Sequence, residues 1–295
     1  MRGYAVKNNN IIFVTCIYDG YNGTIFGGRK SRKTYYMESL KSICNIGHTI
    51  YCFTSENLYD ELSSHFSQFN NLILIKKELT EFWFSNSILE IKNEKPDLFV
   101  SPIFWKDRNC HIMWGKTEML KIIMKKENPN YIFWIDAGLS SDQLFPHEYF
   151  PNPKNRNYSV GIFNNYFIME IIKHIKNRII SIHHTVPNNR PLPEKYYNIT
   201  SNRRTHAMLG GFFGGRVEHM DIFCCVCTSK ILDIINNKEL FSEESIYSTI
   251  VHENENIFRI QMFDSFYHKD WGNRYNENRK PFSDCFKQFI KNEQT

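Results

Sequence analysis

The stretch "NPNYIFWIDAGLSSDQ", Asn128 to Gln143, governs how the whole chain is read. Tyr131 to Ile135 suit a buried strand, and they run straight into a lone aspartate, Asp136, with Gly138 two positions later. A carboxylate at the end of an apolar strand must have a use for its charge, because burying it unpaired is expensive. Two uses fit the pattern. Asp136 could cap the following turn as an Asx residue, or it could face a ligand beyond the strand end.

Upstream of this stretch, strands and helices alternate. "GKTEMLKIIMKKENP" places Met119, Leu120, Ile123 and Met124 in one apolar stripe and reads as the helix leading into the strand. "IIFVTCIYDG" is a first strand that carries Asp19 at its end. "SRKTYYMESLKSICNIG" is a helix with Tyr36, Leu40, Ile43 and Cys44 on one face, stopped at Gly47. "HTIYCFTS", "ENLYDELSSHF" and "NLILIKKEL" continue as strand, helix and strand. Such alternation predicts an α/β fold with a mixed, mainly parallel sheet and helices on both faces. Ligands of such sheets sit beyond the carboxyl ends of the strands, so Asp19 and Asp136 could share one crevice.

Downstream, residues 142–200 read differently, with Pro146, Pro151, Pro153, Pro187 and Pro191 among Asn- and Arg-rich turns. They enclose one amphipathic helix near Tyr166 to Arg178 and read as an insertion over the site. Beyond them a Gly-bracketed strand, a long helix, an acidic turn, a second helix and a strand run from His206 to Ile260.

The totals narrow the function classes. The chain has 295 residues, 42% of them hydrophobic and 15% aromatic, enough for one large core. A formal net charge of +5 favours an anionic ligand or an anionic membrane surface, but it is too small and too evenly spread to indicate nucleic acid. Eight cysteines show no secreted-scaffold spacing, and the tightest group, "CCVC" from Cys224 to Cys227, reads as small apolar residues of a buried element. The opening "MRGYAVKNNN" has no apolar core of a signal peptide, and no window is apolar enough to span a bilayer. The expectation is a cytoplasmic protein. Peripheral contact with the inner membrane stays open, because Lys173, Lys176 and Arg178 flank Ile171, Ile172 and Ile175 on one helix, which could equally face the core.

Five groups could carry chemistry. Asp136 suits a divalent ion bridging a diphosphate, since hard Mg2+ or Mn2+ prefers carboxylate oxygens, but Gly138 stands where a second carboxylate of D-x-D would be. "GGFFGG", Gly210 to Gly215, suggests backbone approaching a ligand, or else tight packing at a sheet bend. "FSEESIYS" puts Glu243 and Glu244 at a helix start, where they suit the helix dipole or, alternatively, an anomeric carbon. "FYHKDW" offers His268 and Lys269 as metal ligand and diphosphate counter-charge, and "GGRKSRK" offers Arg29 and Arg32 at a helix start as an anion cradle.

Taken in order, these groups follow the layout of a GT-A glycosyltransferase. "FVTCIYDG…GGRKSRKTYYMESL", "YIFWIDAGLSS", "GGFFGG" and "EES" together resemble the bacterial HtrL/YibB-type (WlaTC-like) glycosyltransferases over roughly residues 11 to 275. The resemblance implies a single GT-A-like, Rossmann-type domain over 1–295. Its parts would be a nucleotide-binding half (1–141), the insertion (142–200), an acceptor and catalytic half (201–275) and a tail (276–295). It implies transfer of a sugar from a nucleoside-diphosphate donor, a UDP-sugar first, to a lipooligosaccharide or capsular polysaccharide, through a glycan or lipid-linked acceptor. Glu244, with Glu243, would be catalytic. Asp19, Arg29, Arg32, Lys116, Asp136 and Lys269 would bind the nucleotide sugar, and Gly211, Gly214 and Gly215 would line the acceptor side. Asp136 and His268 would hold Mn2+ or Mg2+. Two rivals stand beside this reading: a nucleotidyltransferase or sugar-nucleotide hydrolase using the same crevice, and a non-catalytic carbohydrate-binding protein.

Overall fold

The computed structural model describes residues 10–18, 32–99, 107–138, 168–169, 172, 175, 178–185, 206–241, 243–254 and 259–264. Among them, seven strands form one sheet: β1 Ile11–Cys16, β2 Thr49–Thr54, β3 Leu72–Lys76, β4 Tyr131–Ile135, β5 Arg178–Thr185, β6 His206–Arg216 and β7 Arg259–Asp264. The α-helices among the described residues are α1 Arg32–Cys44, α2 Glu56–His65, α3 Ser85–Glu94, α4 Asp107–Glu127, α5 Val217–Asn236 and α6 Glu243–Glu253.

The spatial order is β3-β2-β1-β4-β6-β5-β7. Neighbours pair in parallel except at β6, which runs antiparallel to both β4 and β5. The mixed, mainly parallel α/β sheet read from the sequence is therefore present. β1 and β4 lie in the middle, and every residue from Tyr131 to Ile135 is buried, as a strand covered on both faces requires. The chain order reverses between β1 and β4, which is where open sheets of this kind place their ligands.

Alternation along these strands builds two cores. Ile12, Val14, Ile132 and Trp134 face one way and pack with α4, α5 and α6. Ile11, Phe13, Phe133 and Ile135 face the other way and meet α1 and α2. On that second face Phe133 stacks between Phe13 and Phe212, at ring centroid distances of 5.5 and 5.7 Å. Gly214 makes this possible. A Cβ there would stand 2.4 Å from the Phe133 ring and 2.4 Å from the Ile132 carbonyl oxygen.

The helix ends follow local chemistry. α1 is closed by Gly47 at φ +82°, and α4 by Asn128 at φ +46°, whose N–H donates to Met124 O at 3.0 Å just before Pro129. α4 begins at Asp107, eight residues earlier than the apolar stripe alone indicates. The insertion read over 142–200 contains β5, a paired strand between β6 and β7, so residues 178–185 belong to the sheet. Arg178 opens that strand and does not close a helix. Ile168, Ile172 and Ile175 are buried in the second core, and Ile171 lies outside the described residues. The "CCVC" cysteines lie on α5, with Cys224 and Cys227 buried and Cys225 exposed. Among the described residues no helix is long and apolar enough to cross a membrane.

The Gly214 contact yields a direct test. Gly214→Ala forces a methyl into the β4 backbone and should destabilise the fold by about 1–3 kcal/mol. Thermal unfolding should then show a melting temperature lower by several degrees. An unchanged melting temperature would contradict the close approach.

Candidate functional site

The site grows from the end of β4. Alternation sends Trp134 and Asp136 to the same face, and the Trp134 indole Nε1–H donates to Asp136 Oδ1 at 2.7 Å. The backbone N–H of Asp136 donates to Gly211 O at 2.7 Å, which carries the β4–β6 ladder one residue past the strand.

Lys116 reaches this point from α4. Its Nζ donates to Asp136 Oδ1 at 3.0 Å, to Gly210 O at 2.9 Å and to Glu243 Oε1 at 3.0 Å. An ammonium has three N–H donors, and all three are taken by the protein. The cation also lies 5.3 Å from the centre of the Trp134 ring. The Lys116 side chain is only 4% exposed and that of Glu243 10%, whereas that of Asp136 is 43% exposed. The cluster thus has a sealed side at Lys116 and an open edge at Asp136. Burial alone would push the Lys116 ammonium down. The charges of Asp136 and Glu243, with hydrogen bonds to both, outweigh that and hold it well above the usual lysine range.

Two structural devices bring Glu243 in. The Trp114 indole N–H, two residues before Lys116, donates to Phe241 O at 2.9 Å and pins the chain just ahead of α6. On β6, pairing with β5 slips from Ser181↔Phe213 to His183↔Met208. Two steps along β5 therefore match five along β6, and the surplus falls at the first glycine pair, Gly210 and Gly211. Bulges of this kind re-aim a strand beside functional sites. Gly210 then abuts Glu243 so closely that a Cβ would stand 2.5 Å from Oε1 and 2.8 Å from Cγ.

Of the residues read from the sequence, the fold brings Lys116, Asp136, Gly211 and Glu243 together. Lys116, read as a ligand of the nucleotide sugar, instead ties protein groups to one another. Gly214 and Gly215 lie about 10 Å further along β6 at strand spacing and pair with Phe133 and Ile132. Arg32 opens α1 and Glu244 is the second residue of α6, but their side chains lie outside the described residues, as do Asp19, Arg29, His268 and Lys269.

Sequence reading assigned no role to Trp134, Cys16 or Tyr247, and Gly210 entered it only as part of "GGFFGG". Cys16 ends β1 beside the cluster, and its thiol is raised by burial and then by the Asp136 charge. Tyr247 sits one turn after Glu243 on α6; its buried hydroxyl has no hydrogen-bond partner among the described residues. A usable signal existed for Trp134, which shares a strand face with Asp136.

The described residues do not by themselves fit a divalent cation. No three His, Cys, Asp or Glu side chains gather at one point among them. Asp136 has one oxygen, Oδ1, already bound to Lys116 and Trp134, and Mg2+ or Ca2+ asks for about six oxygens.

No family model matches the chain, and no curated protein matches it either. Solved structures share its fold. Core-mannan synthase A of Aspergillus fumigatus, in its Mn/GDP form, superposes with a TM-score of 0.50 at 9% identity, over 98% of this chain and 87% of that one. Mouse xyloside xylosyltransferase 1, apo form, gives 0.45 at 8% identity over 84% of each chain. The 4-diphosphocytidyl-2C-methyl-D-erythritol synthase of Anaerococcus prevotii gives 0.44 at 9%, over 95% and 96%. At these identities the likeness is one of fold, and the fold is the GT-A-like α/β sheet.

Replacing Lys116 tests the cluster. Lys116→Met leaves two carboxylates without their shared cation and should destabilise by about 3 kcal/mol, the low end for breaking a buried pair because Asp136 keeps water contact. The folded ammonium titrates above the unfolded lysine value of about 10.4. Its contribution is therefore complete below that value and is lost only as pH rises through the raised folded one. The melting-temperature gap between wild type and Lys116→Met should stay constant from about pH 7 to 10. A gap that closes by about pH 9 would contradict a raised ammonium.

Proposed function

We propose that the chain is a glycosyltransferase of the HtrL/YibB type. It would move a hexose-class sugar from a nucleoside-diphosphate donor, a UDP-sugar first, to a bacterial surface glycan, either lipooligosaccharide or capsular polysaccharide. The observation that supports this reading best is the pair of carboxylates, Asp136 and Glu243, tied at 3.0 Å each to one buried ammonium at the carboxyl end of β4. The likeness in fold to core-mannan synthase A, whose structure is a Mn/GDP form, is consistent with it.

Glycosyl transfer breaks the bond between the anomeric carbon and the diphosphate. Positive charge develops at the carbon and negative charge on the departing phosphate. Asp136 and Glu243 are set in place before a substrate arrives, and two fixed carboxylates beside the carbon favour its positive charge. Glu243 is preferred to Glu244 for this role because its carboxyl group joins Asp136. Lys116 lets the two anions stand together without a ligand to separate them. In this proposal Asp19, Arg29 and Arg32 take the nucleotide, and Lys269 faces the diphosphate. Gly211 lies beside the acceptor, and Mn2+ or Mg2+ enters only with ligands outside the described residues, His268 among them.

The test combines binding and turnover. Wild type and Asp136→Asn are melted with UDP, GDP and CMP, each with Mn2+ and with EDTA. A ligand at a hundred times its dissociation constant stabilises by about 2.7 kcal/mol, which should lift the melting temperature by several degrees. The matching nucleotide sugar should then release its nucleoside diphosphate, and Asp136→Asn should lose on the order of a hundredfold of that rate. Cleavage between the two phosphates, giving a sugar phosphate and the nucleoside monophosphate or its adduct, would move the reading to nucleotidyl transfer or sugar-nucleotide hydrolysis. Binding of a carbohydrate with no turnover, unaffected by Asp136→Asn, would make the chain a binding protein.

A further inference from the structure

We propose that Gly210 is a positioning residue that, with Lys116, selects Glu243 as the working carboxylate of α6. This rests on the transferase reading for its meaning, but the contact itself does not.

Three observations meet at Gly210. Its carbonyl accepts from Lys116 at 2.9 Å. The missing side chain leaves the space that Glu243 occupies, with a Cβ only 2.5 Å from Oε1 and 3.0 Å from Cδ. It also stands at the bulge where β6 turns from its pairing with β5 toward Asp136. A methyl group here has no flexible distal atom to push aside without moving the carboxylate. The carboxylate cannot shift freely either, since Lys116 binds it from the other side at 3.0 Å. Gly210 therefore fixes one coordinate of Glu243 and Lys116 fixes another. Any side chain at residue 210 would displace the carboxylate from the ammonium, and with it the distance to Asp136 that the reaction uses.

Shortening the glutamate should relieve the clash, and with it the loss of thermal stability, while leaving the carboxylate short of Lys116. Glu243→Asp withdraws the carboxylate by one methylene toward α6, which frees the space that the added methyl group would fill. The prediction is a reciprocal pattern in stability: Gly210→Ala is harmful, and the double change Gly210→Ala with Glu243→Asp is less harmful than Gly210→Ala alone. A general loosening of the sheet would not be repaired by shortening a side chain on α6.

The experiment labels lysine Nζ with 15N. A buried, hydrogen-bonded ammonium exchanges slowly with water and gives a resonance that exposed lysines lack; Lys116→Met assigns it by deletion. In Gly210→Ala this resonance should shift or vanish while the circular dichroism spectrum stays native, and in the double variant the melting temperature lost by Gly210→Ala should return. Donor turnover should fall on the order of a hundredfold in Gly210→Ala, as for a misplacement near 1 Å, and stay low in the double variant, whose shorter side chain also withdraws the carboxylate. An unmoved resonance in Gly210→Ala would overturn the proposal. So would a resonance that shifts in Gly210→Ala while turnover stays constant, because the contact would then serve the fold only. A wild-type chain inert toward every nucleotide sugar would defeat the transferase reading, and the resonance would still decide whether Gly210 holds Glu243.

Discussion

One ammonium group joins three separate elements of this molecule. Lys116 stands on α4, yet it binds the end of β4 through Asp136, the bulge of β6 through Gly210 and the start of α6 through Glu243. Three elements far apart in sequence are thereby held to one point at the carboxyl edge of the sheet. A lysine this buried is tolerated only when paired, so the carboxylates are needed by the cation as much as the cation by them. The partly exposed Asp136 is then the edge of the cluster that a ligand can meet.

The glycines show how the backbone accommodates this arrangement. Gly214 exists for the sheet, since the Phe133 ring and the β4 backbone leave no room for a Cβ. Gly210 exists for the site, since the carboxyl group of Glu243 fills the same space. Of the two readings given to "GGFFGG", tight packing describes Gly210 against Glu243 as well as Gly214 against Phe133. The first pair lies at the bulge beside Asp136 and the second inside the β4–β6 ladder.

Much of the fold was legible because its signals are local. The all-buried β4, the stop at Gly47 and the apolar stripe of α4 all follow from periodicity and end chemistry. β5 was not, because its start was read into the amphipathic helix ending near Arg178 and the proline-rich stretch around it read as an insertion. In the site, Asp136 was legible from its place after an apolar strand. The partnership of Lys116 with Glu243 was not, because 127 residues separate the two and only the packing of α4, α5 and α6 on one face closes that distance. A hint was present: Lys116 lies one turn from both Ile112 and Leu120, on the buried stripe of its helix, where an unpaired charge would be unstable.

The central claim is that Asp136 and Glu243 depend on one shared cation. A double-mutant cycle with Asp136→Asn and Glu243→Gln, read by urea unfolding at neutral pH, tests it most directly. Either single change leaves Lys116 one charged partner and also relieves the repulsion between the two carboxylates. The double change leaves the buried ammonium with none. The account predicts that the double variant is destabilised beyond the sum of the singles by about 1 kcal/mol or more. Additivity within about 0.5 kcal/mol would mean that the two carboxylates act independently and would contradict it.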